Sequence, residues 1–371
     1  MISRRTALLG LAASAAPASA FAAEPNALQQ AMSGKPVPGM GAISIRNFRV
    51  EREFYEGVRR IGGRDIVTPR DRWLLASDSK AMTATMVARL VEHGVLSWEA
   101  PLERMLPNIA PSMRDEYRDV TLVDLLSHRS GLPENARDMD FLLTFVNDAA
   151  SHPAQRQRYA AAALSDPPVG PKRARAAYSN SGYILAGAIA EHATGEDYRS
   201  LMATHVFNPL GMRSATFVGA SAPHDNIGHV ERRVADQPTD PNPPVYDPSN
   251  GVRLTVRDWS RFCIDQMQGE HGRGRLLPTP NYRMLHTRQG EGIYGLGWEV
   301  RPSFRGRTGP ALLHSGSDGN WYAVAALFPN AGDGALVVAN AAYGMDGNTA
   351  GDAALGALAA DASTPAPAQP Q

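Results

Sequence analysis

Hydrophobic positions change period along this 371-residue chain, and the changes divide it into three blocks. Apolar and polar residues alternate over 40–48 and again over 52–60, the period-two pattern of half-buried antiparallel strands. A short first helix is predicted just ahead of them, over 27–32. An apolar run at 73–76 then feeds a helical segment in which Val87, Leu90 and Val91 form a stripe and Gly94 is the stop. The middle block keeps helical spacing. It holds a helix over 122–126 behind Thr121, halted by Gly131-Leu132-Pro133, and an Ala-rich helix over 141–166 broken by prolines from 167 to 171. A polar turn at 178–183 leads into a helix carrying Ile184, Leu185 and Ile189. Further helices are predicted from Gly195 to 207 and over 256–267. Residues 219–250 contain six prolines and predict a long irregular segment. From Tyr294 the period returns to two, over 295–300, 312–314, 322–328 and 335–340. A hairpin at 329–334 and a closing helix near 348–360 complete the pattern.

Strands at both ends with helices between them predict an α+β fold. It is an antiparallel sheet of five or more strands drawn from both chain ends, flanked by helices, with an inserted mainly helical region. The sheet region covers about 23–76 and 294–362, and the helical region about 77–293. Residues 1–22 fit an export leader instead. Arg4-Arg5 precedes an Ala/Leu run too short to span a bilayer, and small-x-small cleavage sites follow at Ala18-Ser19-Ala20 and Ala20-Phe21-Ala22. The paired arginines point to the twin-arginine route and a periplasmic destination. No integral membrane segment is expected after the leader is removed. The Pro/Ala/Gln tail at 363–371 is expected to be disordered.

Charge narrows the function classes. Lys+Arg and Asp+Glu both number 37; without Arg4 and Arg5 the balance is 35 against 37, so no nucleic-acid partner or anionic membrane surface is indicated. Cys263 is the only cysteine, which rules out an intrachain disulfide and suggests core filler. The ten histidines show no H-E-x-x-H or similar metal cluster, and no metal or other cofactor is expected.

The basic residues carry the sharpest signal. Of the 37, only Lys35, Lys80 and Lys172 are lysine. Lys80 sits in a run of small and apolar residues, where an amine able to lose its proton would explain the choice, since arginine cannot. Three residues earlier stands Ser77, and positions three apart on a helix share a face. A serine needs a neighbouring base to act as nucleophile, and a lysine serves if burial lowers its pKa. The start of a helix also favours negative charge. His128, at the end of the 122–126 helix, reads as a cap or packing residue.

Two other polar clusters complete the picture: Tyr178-Ser179-Asn180 and His314-Ser315-Gly316. Together with Ser77-x-x-Lys80 they resemble the S-x-x-K, Y-x-N and K-T-G motifs of the serine β-lactamase and penicillin-binding-protein superfamily. The resemblance is strongest to the class C β-lactamase-related branch of esterases and D-amino-acid peptidases. Leu125–Leu132, Tyr178–Tyr183, Pro209-Leu210-Gly211-Met212 and Tyr294-Gly295-Leu296-Gly297-Trp298 match that branch's flanking patterns. The resemblance implies a β-lactamase/transpeptidase-like fold and an acyl-enzyme on Ser77, with Lys80 and Tyr178 sharing the base role. A cationic neighbour would lower the pKa of the Tyr178 phenol. Asn180 would orient Lys80 and hold a substrate amide. The backbone N–H groups of Ser77 and Ser317 would form the oxyanion hole, and Gly316 would let the strand approach the substrate.

One departure matters. His314 stands where the family pattern has lysine, while Ser315 keeps the hydroxyl. A mostly neutral histidine is a poor anchor for a penicillin-like carboxylate, so a small ester, an amide or a cell-wall peptide is the expected substrate. The alternatives are a true β-lactamase or DD-carboxypeptidase, and a non-catalytic module that binds cell-wall peptides. An α/β-hydrolase would need G-x-S-x-G, and Ser315 occupies the first glycine's place in the nearest match.

Overall fold

A computed structural model describes residues 25–217, 225–235 and 242–361. Six strands form one antiparallel sheet: β1 (Gly39–Arg46), β2 (Arg49–Gly57), β3 (Glu299–Phe304), β4 (Arg307–Ser317), β5 (Tyr322–Phe328) and β6 (Asp333–Ala339). Their spatial order is β2-β1-β6-β5-β4-β3. The two chain ends meet where β1 pairs with β6, Ile43 opposite Leu336. The expected leader at 1–22, the tail at 363–371 and parts of the proline-rich stretch lie outside the described residues.

The sheet boundaries show where local pattern was overridden. Asn47 and Phe48 both take positive φ, 49° and 61°, so β1 turns into β2 through a two-residue hairpin and β2 starts at Arg49. β4 was expected only over 312–314. It runs from Arg307 to Ser317 because it pairs with β3 on one side and β5 on the other, which carries weak strand formers along. β3 begins at Glu299, later than the expected 295, because Gly297 turns the chain at φ 84°.

The longer helices used below are α1 (Ala27–Met32), α2 (Ser79–Glu92), α3 (His152–Ser165), α4 (Asn180–Thr194), α5 (Val256–Gly269) and α6 (Gly347–Asp361). α1 begins at a capping box in which Asn26 and Gln29 bond each other's backbone N–H. It lies with α6 on the outer face of the sheet, where Leu28, Ala354 and Leu358 pack with Ala326, Ala335 and Val337. The inner face meets the helical region. There α5 places Trp259, Phe262 and Cys263 in the larger core, and α2 is buried on almost every side, from Ser79 through Ala88. The helix expected over 141–166 is two, Met139–Leu143 and α3. Ser151 caps α3 and Pro153 sits in its first turn, so the helix restarts there. The Gly195–207 segment likewise divides, into Tyr198–Met202 and a widened turn over Ala203–Phe207.

Candidate active site

Ser77 lies in a single 3₁₀ turn, Ala76–Asp78, immediately before α2 and not within it. Ala76 takes φ 46°, a left-handed conformation that side-chain-bearing residues rarely adopt. The turn is held by Leu75 N–H to the Val252 carbonyl at 3.0 Å and by β4 pressing against it. A Cβ on Gly316 would stand 2.2 Å from the Leu75 carbonyl oxygen and 2.6 Å from the Ser77 nitrogen. Only glycine permits that approach.

Lys80 follows one turn on, fully buried. Its Nζ lies 3.0 Å from Ser77 Oγ, 2.8 Å from Asn180 Oδ1 and 2.8 Å from the Ser249 carbonyl oxygen. Burial lowers its pKa to about 7, against the opposing pull of Asp78 and Glu134. A neutral amine has two N–H donors and one lone pair. Asn180 and Ser249 take the two donors, so the lone pair is left facing the Ser77 hydroxyl. In the protonated form the third N–H donates to Ser77 Oγ, and the same geometry serves both states.

The Ser249 carbonyl was not anticipated, since a backbone oxygen leaves no mark in a sequence. Its loop is stitched to α2 by Thr83 Oγ1 to the Pro248 carbonyl at 2.7 Å and by Val252 N–H to Ser79 Oγ at 3.0 Å. The loop is also pinned from outside. Arg199 Nε reaches Asp247 Oδ2 at 2.7 Å, and the fully buried Arg156 donates to the Pro244 carbonyl at 2.9 Å while pairing with Glu191.

Tyr178 comes from a segment 101 residues away, and its hydroxyl donates to Ser77 Oγ at 2.7 Å. Burial pushes the phenol's pKa up, contrary to the expectation from a cationic neighbour. Lys80 Nζ does sit 5.0 Å from the Tyr178 ring centroid, but desolvation of the phenolate is the larger effect. His128 holds this segment. Its Nδ1 accepts the Ser179 N–H at 3.0 Å, its carbonyl accepts the Ala177 N–H at 2.8 Å, and its ring lies 4.5 Å from that of Tyr178. The packing reading of His128 describes this placement, and burial keeps the ring neutral.

Asn180 opens α4 behind the Ser179 cap, whose Oγ accepts the Gly182 N–H at 3.2 Å. A Cβ on Gly182 would lie 2.8 Å from the Leu125 carbonyl, so the helix seats closely against Leu122–Leu126. The Asn180 amide donates to Asn135 Oδ1 at 3.2 Å, which leaves its carbonyl oxygen directed at Lys80. Neither Asn135 nor its neighbour Glu134 was singled out beforehand; both lie in an irregular loop whose sequence has no periodic signal.

On β4, Gly316 packs against the Ser77 turn, His314 is buried two residues before it, and Ser315 between them is exposed at the cleft. His314 is buried, and its Nδ1 donates to the Ser315 carbonyl at 3.0 Å. Burial, reinforced by Lys80, lowers its pKa to about 3, so it is uncharged at neutral pH. Ser317 Oγ accepts the Gly319 N–H at 3.0 Å and closes the following turn.

Ser77, Tyr178, Asn180, His314, Ser315, Gly316 and Ser317 all line one cleft of about 320 Å³, joined by Glu134, Tyr294, Glu299 and Tyr343. Lys80 lies beneath it. Two grooves of about 650 and 640 Å³ on the helical region are larger, yet neither brings a hydroxyl and an amine together as this cleft does. Asp78, between the serine and the lysine, is buried with both carboxyl oxygens lacking a hydrogen-bond partner. Burial raises its pKa well above the usual range and favours the neutral acid.

Known proteins share this arrangement of elements. The chain is 25% identical over 313 residues to penicillin-binding protein 4 of Amycolatopsis lactamdurans, covering 78% of this chain and 77% of that one. It is 22% identical over 314 residues to protein flp of Staphylococcus aureus strain MW2, covering 82% of this chain but spanning only 60% of flp. Among solved structures, the octameric penicillin-binding protein homologue from Pyrococcus abyssi superposes with a TM-score of 0.73 at 22% identity, covering 89% of this chain and 75% of that one. SurE superposes with a TM-score of 0.74 at 22% identity, covering 91% and 74%. The family model described as Beta-lactamase matches residues 25–359, nearly the whole described chain, and the protein therefore belongs to the beta-lactamase family.

Proposed function

We propose that this protein is an exported, periplasmic serine hydrolase that cleaves a small ester or amide through an acyl-enzyme on Ser77. The observation that carries the reading is convergence on one oxygen. Lys80 Nζ at 3.0 Å and Tyr178 OH at 2.7 Å both contact Ser77 Oγ, and the amine has a pKa of about 7. Export rests on the Arg4-Arg5 leader.

In the forward step neutral Lys80 takes the Ser77 proton as Oγ attacks the carbonyl carbon. The oxyanion is received by the backbone N–H groups of Ser77 and Ser317; one such donor is worth about 2.7–4 kcal/mol of transition-state stabilisation. Tyr178, kept as a phenol by burial, relays a proton between Lys80 and the leaving group and does not act as a free phenolate base. Water then attacks the acyl carbon with Lys80 accepting its proton, the acyl–Oγ bond breaks, and Lys80 returns the proton to Ser77 Oγ. The turn at Ala76 and the contact with Gly316 position the oxygen before substrate arrives.

His314 favours a neutral ester or amide over a β-lactam, because an uncharged imidazole supplies no counter-ion for a fixed carboxylate. One SurE structure is described as containing D-Leu, which supports D-amino-acyl amides within the amide class. Intact-protein mass spectrometry with a p-nitrophenyl ester is the test. The expected result is an acyl adduct that maps to Ser77 and is absent from Ser77→Ala, with turnover lost. Adduct-free protein without turnover would mark a binding module instead, and turnover by Ser77→Ala would end the assignment.

A further inference from the structure

The charge of the cleft defines a narrower substrate class, on the premise that Ser77 is the nucleophile. Glu134 lines the cleft with an exposed side chain, and among the described residues no ion pair engages its carboxylate. Its position is fixed, because its carbonyl accepts the Asn180 N–H at 2.8 Å and the Ser181 N–H at 3.1 Å where α4 begins. The cleft's second carboxylate, Glu299, is paired with Arg301 at 2.7 Å. The Arg301 side chain lines the adjoining groove and not the cleft itself.

Among the described residues lining the cleft, no open cation balances Glu134. Lys80 is sealed beneath the floor by its three oxygen partners, and His314 is buried and uncharged. The remaining walls include Tyr294 and Tyr343, the latter 65% exposed. A carboxylate without an ion-pair partner in a cleft that tyrosines also line is the chemistry that attracts an ammonium group, through charge and, where a ring face is presented, through its quadrupole. The same walls repel a carboxylate. At about 320 Å³ the cleft is at the small end of ligand pockets, which run to about 1,000 Å³, so the charged group and the scissile carbonyl must lie within a few bonds of each other.

We infer that the cleft selects small esters or amides that carry a cationic ammonium group near the scissile carbonyl, with Glu134 as the residue that determines this specificity.

Three p-nitrophenyl esters test the inference: 4-(trimethylammonio)butyrate, its uncharged isostere 5,5-dimethylhexanoate, and the glutarate monoester. The expected order of kcat/KM is cationic, neutral, anionic, with the cationic ester ahead of the neutral one by about tenfold. Glu134→Gln is expected to collapse that ratio toward one, and Glu134→Lys to invert it. Ratios are compared and not absolute rates, because Glu134 also acts on Lys80. Equal rates on the cationic and neutral esters, or a ratio that Glu134→Gln leaves intact, would overturn the inference. If the variants fail to fold, 1 M NaCl on the wild-type protein serves instead: screening should shrink the ratio, and an unmoved ratio would be equally damaging. Hydrolysis of all three esters by Ser77→Ala would point elsewhere, to failure of the Ser77 assignment itself.

Discussion

On the outer face of the sheet, α1 and α6 bury Leu28, Ala31, Ala354, Leu355 and Leu358 against alanines and valines of β5 and β6. On the inner face, around the start of α2, the buried set includes Lys80, Asp78, His128 and His314. Both faces exclude water, but they do so for different ends. The outer layer gains free energy from every side chain it covers. The inner layer covers groups whose charged forms are costly there. The result is an amine whose pKa falls to about 7, an imidazole held uncharged and a phenol that keeps its proton. Both sides of the sheet bury an apolar core, and only the inner one also buries the titratable groups of the candidate site.

Lys80→Arg probes the reactive side most severely. It retains the positive charge but cannot release a proton, and kcat/KM for a p-nitrophenyl ester is expected to fall by about 10²–10⁴-fold. A rate within a few-fold of wild type would dissolve the contrast. The outer side is tested by Leu358→Ala. Chemical denaturation is expected to show a loss of about 2–5 kcal/mol, with kcat/KM of the folded protein unchanged. A matching loss of activity would mean that the two faces are not separable.

The pH profile sharpens the comparison further. In the proposed mechanism Lys80 is a base only when unprotonated, so kcat/KM should rise with pH and level off above an inflection near 7. On the acid limb the slope should approach tenfold per pH unit. A flat profile between pH 6 and 8 would remove Lys80 from the base role. The smallest effect is expected from His314→Lys. It introduces a cation where the cleft has none, and should raise the rate on a carboxylate-bearing β-lactam relative to a neutral ester by roughly tenfold, about 1.4 kcal/mol. An unchanged ratio would show that His314 does not set this preference.

Much of the fold was legible in periodicity, and the exceptions have physical causes. α1, α2, β5, β6 and α6 were visible because each carries an apolar run or stripe bounded by turn or stop residues. β4 was mostly hidden, because Pro310, Ser315 and Gly316 are poor strand formers that two neighbouring strands hold extended. The break near Asn147, with its φ of 59°, was hidden in an Ala-rich run that reads as a continuous helix.

The site divides in the same way. Ser77, Lys80, Tyr178 and Asn180 were recognisable because each contributes a side chain of distinctive chemistry at a fixed spacing from its neighbours. The Ser249 carbonyl, the Asn135 amide and the isolated carboxylate of Glu134 were not, because their roles come from position alone. Tyr178 shows the limit most plainly: the lowered pKa expected from a cationic neighbour is not what its buried position gives, because desolvation outweighs the nearby amine.

The sequence alone determined most of the elements, and it set a hydroxyl and an amine three residues apart at the entry to a helix, since both follow from local period and residue chemistry. Only the tertiary structure decided what those groups are able to do. An acidity constant depends on how much water is removed and on which distant oxygens take the donors, and both are set by segments a hundred or more residues away in the chain.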